Sequence, residues 1–329
     1  MDKNIIVTYN PTPEEKALFL EVLGRHAILT FLNEIPPAQR AQSLEDASVL
    51  LSWNFPQEIL SEEYPGLQHV TFIQLVTAGA DHIPFANLPS QIIVASNPGA
   101  YAAPMAEHIL AMTLALAKRL LMNHQKLKKG EFDDHTLNRS LYGTTAGIIG
   151  FGGTGRATAR LMRAFGMTIY AINQSGKSAE PTEFIGTMHD LAHVLRVSDV
   201  VALCLPLSKA TKGLIGKDEL ALMKPDAILI NTARGAIIDE EALYFHVKNN
   251  PIFLVGIDTW WEEPLRGGPF RMRYPFLELP NVNVLGSPHN SALDSHVIEV
   301  AARQAAENIK HFLKGEKVMG VVRREDYLW

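Results

Sequence analysis

From Asn4 to Leu313 the chain alternates short β-branched or apolar runs with stretches of helical periodicity. Few folds accept that pattern. Strand, helix and strand in succession favour parallel sheets covered by helices, an α/β architecture. In a first set, Asn4–Tyr9, Ala27–Phe31, Val49–Ser52, Phe72–Leu75 and Ile92–Ala95 read as strands, with a helix over Glu14–Leu23. A second, more regular set runs through Thr145–Ile149, Thr168–Ile172, Val200–Leu203, Ala227–Asn231, Leu254–Asp258 and Val282–Leu285. Helices over Gly153–Ala164, His189–Arg196, Lys217–Leu222 and Glu240–Asn249 fall between these strands.

At 329 residues, two such sets predict two domains. Ala102–Leu127 reads as one long helix, entered at Pro104 and apolar enough to be buried between layers, domains or subunits. Asp294 caps a last amphipathic helix that ends near Gly315. Its return onto the first set would make that domain discontinuous: residues 1–98 with 291–329, around a domain of 99–290.

Composition narrows the function. A hydrophobic fraction of 47% with 20% charged residues excludes a disordered chain. The 30 basic and 35 acidic residues are interspersed, so neither a nucleic-acid groove nor an anionic-membrane patch is expected. One cysteine, Cys204, excludes an internal disulfide framework and a cysteine-built zinc site, and no metal is expected. The opening MDKNIIVTYN has too short an apolar run for a signal-peptide core, and Ala102–Ala117 falls short of a bilayer span. A cytoplasmic soluble protein is the expectation.

Chemistry enters at residue 150. Gly150, Gly152 and Gly155 form a GxGxxG between an apolar strand and a helix. In that position the first glycine permits a tight turn, the second the approach of a pyrophosphate, the third close helix–strand packing. The amides of Gly153 and Thr154 would face the phosphates from the helix N-terminus. The following strand should end in an acid for the adenosine ribose, yet it ends in Asn173-Gln174-Ser175-Gly176-Lys177. Without a carboxylate to repel a 2′-phosphate, and with Ser175 and Lys177 at hand, NADP is favoured. NAD, with Asn173 on the ribose, is the alternative.

Three post-strand segments carry polar residues to the edge where open α/β sheets bind ligands. They are Thr232-Ala233-Arg234-Gly235, Thr259 through Pro264 with Glu262 and Glu263, and Gly286-Ser287-Pro288-His289-Asn290. One such residue after a strand is ordinarily packing or surface. Three beside a dinucleotide turn point to acid–base chemistry on an anion.

In these residues, and over essentially its whole length, the sequence resembles the D-isomer-specific 2-hydroxyacid dehydrogenase family. The pieces that match are Thr77-Ala-Gly-Ala-Asp81, Asn97-Pro-Gly, Ala106-Glu-His108, the glycine turn, Leu205-Pro206-Leu207, Asn231 through Gly235, Asp258 through Pro264 and Pro288-His289. The resemblance implies two doubly wound parallel-sheet domains, Rossmann- and flavodoxin-like, with a cleft between them. It further implies NAD(P)H-dependent reduction of a small 2-oxo acid, such as glyoxylate or hydroxypyruvate, to the D-2-hydroxy acid. Arg234 would clamp the substrate carboxylate and carbonyl, and His289 would protonate the carbonyl oxygen. Glu263 would bond that histidine, and a carboxylate beside an imidazole favours the protonated ring that reduction requires. The amides of Ala78 and Gly79 would hold the carboxylate as well. Asp258 would meet the nicotinamide carboxamide; Thr232 and Ala233 would line its pocket, with Leu205, Pro206 and Thr211 also on the cofactor. A homodimer formed through the dinucleotide domain and its long helix is implied too.

Some positions stay open. Trp260 and Trp261 either pack at a domain or subunit boundary or touch substrate. Trp53 and Asn54 either line the substrate side chain or serve the core. Arg266, Arg271 and Arg273, in the long 265–279 segment, suit a solvated loop better than an acidic substrate group. Cys204 stands where relatives often have histidine and reads as a small buried hydrophobe. Formate dehydrogenases of this fold have glutamine at the place of Glu263. A nicotinamide-sensing corepressor and a dehydrogenase of another anion, such as phosphite, are the competing functions.

Overall fold

The computed structural model describes residues 3–264, 268–279 and 283–329. It divides into two compact units, Met1–Tyr101 with Leu293–Trp329, and Ala102–Ala292.

In the first unit the parallel strands are β1 (Asn4–Val7), β2 (Ile28–Phe31), β3 (Val49–Ser52), β4 (Phe72–Leu75) and β5 (Ile93–Ala95). Between them lie α1 (Pro13–Leu23), α2 (Pro37–Glu45) and the single turn α3 (Phe55–Glu58). Strand order is β2-β1-β3-β4-β5, the flavodoxin-like arrangement, which reverses between β1 and β3. α1 begins with a capping box: Thr12 Oγ1 accepts from the Glu15 amide, and Glu15 Oε2 accepts from the Thr12 amide.

The second unit opens with α4 (Ala102–Ala117) and α5 (Leu120–Lys128). The single helix expected over Ala102–Leu127 is therefore broken. Arg119 takes a left-handed φ of 53°, and the extended chain near Arg139 binds the end of α4. There the Arg139 amide donates to Ala117 O at 2.9 Å and Lys118 Nζ donates to Arg139 O at 2.7 Å. The first bond satisfies a carbonyl that a continuous helix would have used itself, and the second ties the side chain beyond α4 to the same segment.

β6 (Thr145–Ile149), α6 (Gly153–Ala164), β7 (Thr168–Ile172), β8 (Phe184–Gly186), α7 (Leu191–Val197) and β9 (Val200–Leu203) follow. α8 (Lys217–Leu222), β10 (Ile228–Asn231), α9 (Glu240–Asn249), β11 (Leu254–Ile257) and β12 (Val284–Gly286) complete the unit, and α10 (Ser295–Leu313) returns to the first. Val282, the start of the last expected strand, lies outside the described residues. All seven strands are parallel in the order β12-β11-β10-β9-β6-β7-β8, so the order reverses between β6 and β9. β9 and β10 are buried throughout, as a sheet covered on both faces demands.

The chain changes unit after Tyr101 and before Leu293, against expected positions after residue 98 and before residue 291. Tyr101 belongs with the first unit because its hydroxyl donates to Val76 O at 3.0 Å. Ser291 belongs with the second because its amide donates to Asp258 Oδ2 at 3.2 Å. Among the described residues, no helix is long and apolar enough to cross a membrane.

Candidate active site

The glycine turn joins β6 to α6 at the C-terminal edge of the sheet, beside the end of β9. Gly150 has φ 98°, and a Cβ there would stand 2.5 Å from the Cys204 carbonyl oxygen. A Cβ on Gly155 would lie 2.2 Å from Gly150 O, so neither position admits a side chain. Added to Gly152, a Cβ would meet nothing within 4 Å. The turn is thus closed on its protein side and open above Gly152. α6 has no acid in its first turn, which leaves the amides of Gly153 and Thr154 and the helix dipole to favour an anion.

After β9 come buried Leu205 and exposed Pro206. Thr211 closes their loop, its hydroxyl donating to Pro206 O at 2.7 Å and accepting from the Ser208 amide at 2.8 Å. After β7, Asn173 builds the turn that follows it. Its Oδ1 accepts from the amides of Ser175 and Gly176 at 3.1 and 2.8 Å, and its Nδ2 donates to Lys177 O at 2.9 Å. Gln174, Ser175 and Lys177 are left exposed on that turn. Cys204 is half-buried, and burial pushes its thiol up to about 12, which suits an inert packing residue.

The three catalytic candidates stand on successive strand ends of this same sheet. Asn231, last residue of β10, donates from Nδ2 to Arg234 O at 2.9 Å and accepts the Ala233 amide at 3.1 Å, which fixes the turn under Arg234. Arg234 is half-buried, and its Nη1 donates to Ala233 O at 2.8 Å. Beyond β11, Glu263 Oε1 accepts the Trp260 amide at 2.9 Å and Oε2 pairs with His289 Nδ1 at 2.7 Å. Burial pushes the Glu263 carboxyl up. The hydrogen bond from His289, the Trp260 amide and the charges of His289 and Arg234 outweigh it, holding the group below the usual carboxylate range.

His289 has a φ of 52°, uncommon for a residue with a side chain. Its amide donates to Asp258 O at 2.8 Å. The fully buried Asp258 carboxylate accepts from Ser287 Oγ at 2.5 Å, the Asn290 amide at 3.1 Å and the Ser291 amide at 3.2 Å. Burial pushes this carboxyl up too, but those bonds and the charge of His108 outweigh it and hold it below its ordinary value. The stability this group contributes is therefore present above its unfolded pKa and is lost as pH falls through the lower folded one. Asp258, expected to meet a carboxamide, also fastens the loop that carries His289.

His108 on α4 joins the same network, Nε2 lying 3.0 Å from Ser287 Oγ and 3.8 Å from Asp258 Oδ1. Sequence reasoning gave His108 and Ser287 no role. The available signal was the Glu107-His108 pair inside the apolar run Ala102–Ala117.

Thr232 Oγ1 and Thr259 Oγ1 are buried without a hydrogen-bond partner among the described residues. A buried hydroxyl left unpaired two residues before Arg234 is the kind of group a docked polar ligand satisfies. Together with the open face on Gly152, it fits a dinucleotide lying from the glycine turn to Arg234.

Both neighbouring tryptophans pack inside the second unit. The Trp261 ring stacks on Phe276 at 5.5 Å and its Nε1 donates to Ile238 O at 2.7 Å; Trp260 is 9% exposed. The 268–279 segment lies on this core through Phe270 against Trp260 and Tyr274 against Tyr244. Arg271 and Arg273 are exposed, with Arg273 in the field of Glu240. Arg266 lies outside the described residues.

In the first unit, Ala78 and Gly79 follow β4, and neither amide donates to another described residue. Trp53 and Asn54 follow β3 with their amides on the Glu58 carboxylate, and the Trp53 ring lies 6.0 Å from Tyr9.

Two parallel sheets, a glycine turn at a switch point and three polar residues at strand ends define a dinucleotide-dependent α/β enzyme. The family profile described as D-isomer specific 2-hydroxyacid dehydrogenase, NAD binding domain, matches residues 110–291. D-3-phosphoglycerate dehydrogenase of Methanocaldococcus jannaschii is 30% identical over 97% of this chain, which spans 59% of that relative's length. Glyoxylate reductase of Pyrococcus furiosus is 30% identical over 89% of this chain and 87% of its own. D-Lactate dehydrogenase of Aquifex aeolicus, solved with NAD and lactic acid, is 25% identical, with a TM-score of 0.76 over 95% of this chain and 96% of that one. The chain belongs to the D-isomer-specific 2-hydroxyacid dehydrogenase family and is an oxidoreductase with a nicotinamide cofactor.

Proposed function

We propose that the chain reduces a small 2-oxo acid to the D-2-hydroxy acid, with glyoxylate and hydroxypyruvate as the first substrates to offer. The observation that carries this reading is the 2.7 Å bond between Glu263 Oε2 and His289 Nδ1 on the strand ends beside Arg234. Formate oxidation moves hydride without passing a proton through a histidine; carbonyl reduction needs that proton. An acidic partner therefore favours the carbonyl chemistry.

When bound, the nicotinamide supplies the hydride. The residues of the chain do the rest. Gly150 and Gly155 shape the turn that brings Gly152 and the amides of Gly153 and Thr154 to the pyrophosphate. Leu205, Pro206, Thr211, Thr232, Ala233 and Asp258 border the remainder of the dinucleotide. Arg234 grips the substrate carboxylate with its planar fork and draws charge onto the carbonyl oxygen. The amides of Ala78 and Gly79 are part of this reading as carboxylate donors. His289 gives its ring proton to the carbonyl oxygen in reduction and recovers it in the reverse direction, and Glu263 orients and charges the ring. For the cofactor we favour NADP, because the Asn173–Lys177 turn presents Ser175 and Lys177 with no carboxylate to oppose a 2′-phosphate.

The chain is read as a homodimer through its second unit. No residue of α5 is buried, and the segment after it leaves Phe132 79%, Leu137 88% and Tyr142 81% exposed, large side chains that a partner could cover. Sedimentation equilibrium should return about twice 36.4 kDa; a monomer mass would remove this part of the reading.

Purified protein offered NADPH or NADH with glyoxylate, hydroxypyruvate, pyruvate and phenylpyruvate tests the function. Faster oxidation of NADPH is expected. Activity with NADH alone would keep the chemistry and discard the cofactor preference. Cofactor reduction by phosphite, without turnover of any oxo acid, would replace the substrate class. Glu263→Gln should lower kcat about tenfold, since it removes the carboxylate that orients the ring through Nδ1. An unchanged kcat would uncouple the two residues.

A further inference from the structure

We infer that Trp260 is the positioning residue that sets the Glu263–His289 pair: one residue bonded to the carboxylate and to the histidine loop, and packed against the turn after Arg234. Its backbone amide donates to Glu263 Oε1 at 2.9 Å, and its indole Nε1 donates to Ser287 O at 2.9 Å, two residues before His289. A Cβ on Gly286 would lie 2.9 Å from Trp260 Cζ2, and one on Gly235 would lie 2.4 Å from the Trp260 carbonyl carbon. The end of β12 and the turn after Arg234 are therefore glycine where the tryptophan meets them. Phe270 closes over the ring, 5.0 Å away and tilted by 65°.

The mechanical need is specific. Glu263 and His289 sit on different loops, and a hydrogen bond of 2.7 Å tolerates little relative motion of the two. His289 also holds a left-handed backbone, which persists only where its surroundings enforce it. Asp258 fixes the His289 loop but does not touch Glu263. Trp260 reaches both. Trp261 provides the comparison within the chain: it makes the same kind of bond, to Ile238 O at 2.7 Å, and a ring stack on Phe276, yet bonds neither member of the pair.

This inference deepens the proposed reductase reading and rests on its assignment of Glu263 and His289. The test compares Trp260→Phe with Trp261→Phe in the full chain. Phe keeps most of the ring and removes the N–H. For Trp260→Phe we expect kcat lowered about tenfold with KM for the oxo acid and cofactor affinity within about twofold, an effect of misplacement rather than lost binding. Trp261→Phe should leave kcat in place, even where its melting temperature falls as far.

A readout independent of any substrate is the titration of the Glu263 carboxyl by ¹³C NMR in labelled protein. The groups that face it are His289 and Arg234, with Asp258 and His108 behind the His289 loop. Loosening the pair should raise the Glu263 titration point in Trp260→Phe alone. If the parent turns over no oxo acid, the reductase reading fails, while the titration still decides the positioning. Gly286→Ala, which presses a methyl on the indole, gives a second variant and should act in the same direction. Equal effects of the two tryptophan variants, an unshifted Glu263, or loss of fold in both Trp260→Phe and Gly286→Ala would overturn the inference and leave Trp260 a packing residue.

Discussion

His289→Ala should lower turnover by about 10³-fold while the affinity for nicotinamide cofactor stays within about twofold. The ring is anchored on its Nδ1 side by Glu263 at 2.7 Å, and its backbone by Asp258 O at 2.8 Å. Nε2 is left as the atom that can hand a proton to a carbonyl oxygen. Alanine removes that proton and leaves the glycine turn untouched. The loss corresponds to roughly 4 kcal/mol of transition-state stabilisation. Stopped-flow turnover with cofactor binding measured by fluorescence checks it. Turnover within tenfold of the parent would remove His289 from acid–base duty.

Arg234→Lys is expected to lower kcat/KM for the oxo acid by about 10²- to 10³-fold, the loss falling on both KM and kcat. Charge is conserved in this variant. What disappears is the planar fork, which can bind a carboxylate through two parallel N–H groups. Asn231 fixes the turn through backbone atoms of Ala233 and Arg234, so the substitution should leave that turn and the fold intact. Steady-state kinetics with unchanged thermal melting is the check. A kcat/KM within threefold of the parent would show that a point charge suffices there and that no clamp operates.

Much of the architecture is legible in the residues. The buried parallel strands announce themselves as short β-branched runs, and β3, β4, β6, β7 and β9 begin and end where the composition says. α2 escaped because its residues are polar and only Leu44 is buried, so no apolar stripe marks it. β8 is three residues at the sheet edge, too short for an alternation to register. The break between α4 and α5 is set by a tertiary event, the binding of the α4 end by the segment at Arg139, and no local residue encodes it.

The site divides along the same line. Glycine positions and strand-end polar residues can be read because each depends on its immediate neighbours in the chain. The partners of Asp258 cannot, since Ser287, Asn290 and Ser291 lie some thirty residues on and His108 is on another helix. The indole bond of Trp260 is hidden for the same reason: its N–H finds Ser287 O only after β11 and β12 are paired.

The most direct test of the central claim is the fate of hydride. NADPH, or NADH, dideuterated at C4 of the nicotinamide is incubated with hydroxypyruvate and the protein, and the product is examined by chiral separation and mass spectrometry. One deuterium on C2 of the 2-hydroxy acid, and the D-enantiomer alone, are expected. An L product, or a product without the label at C2, would contradict it.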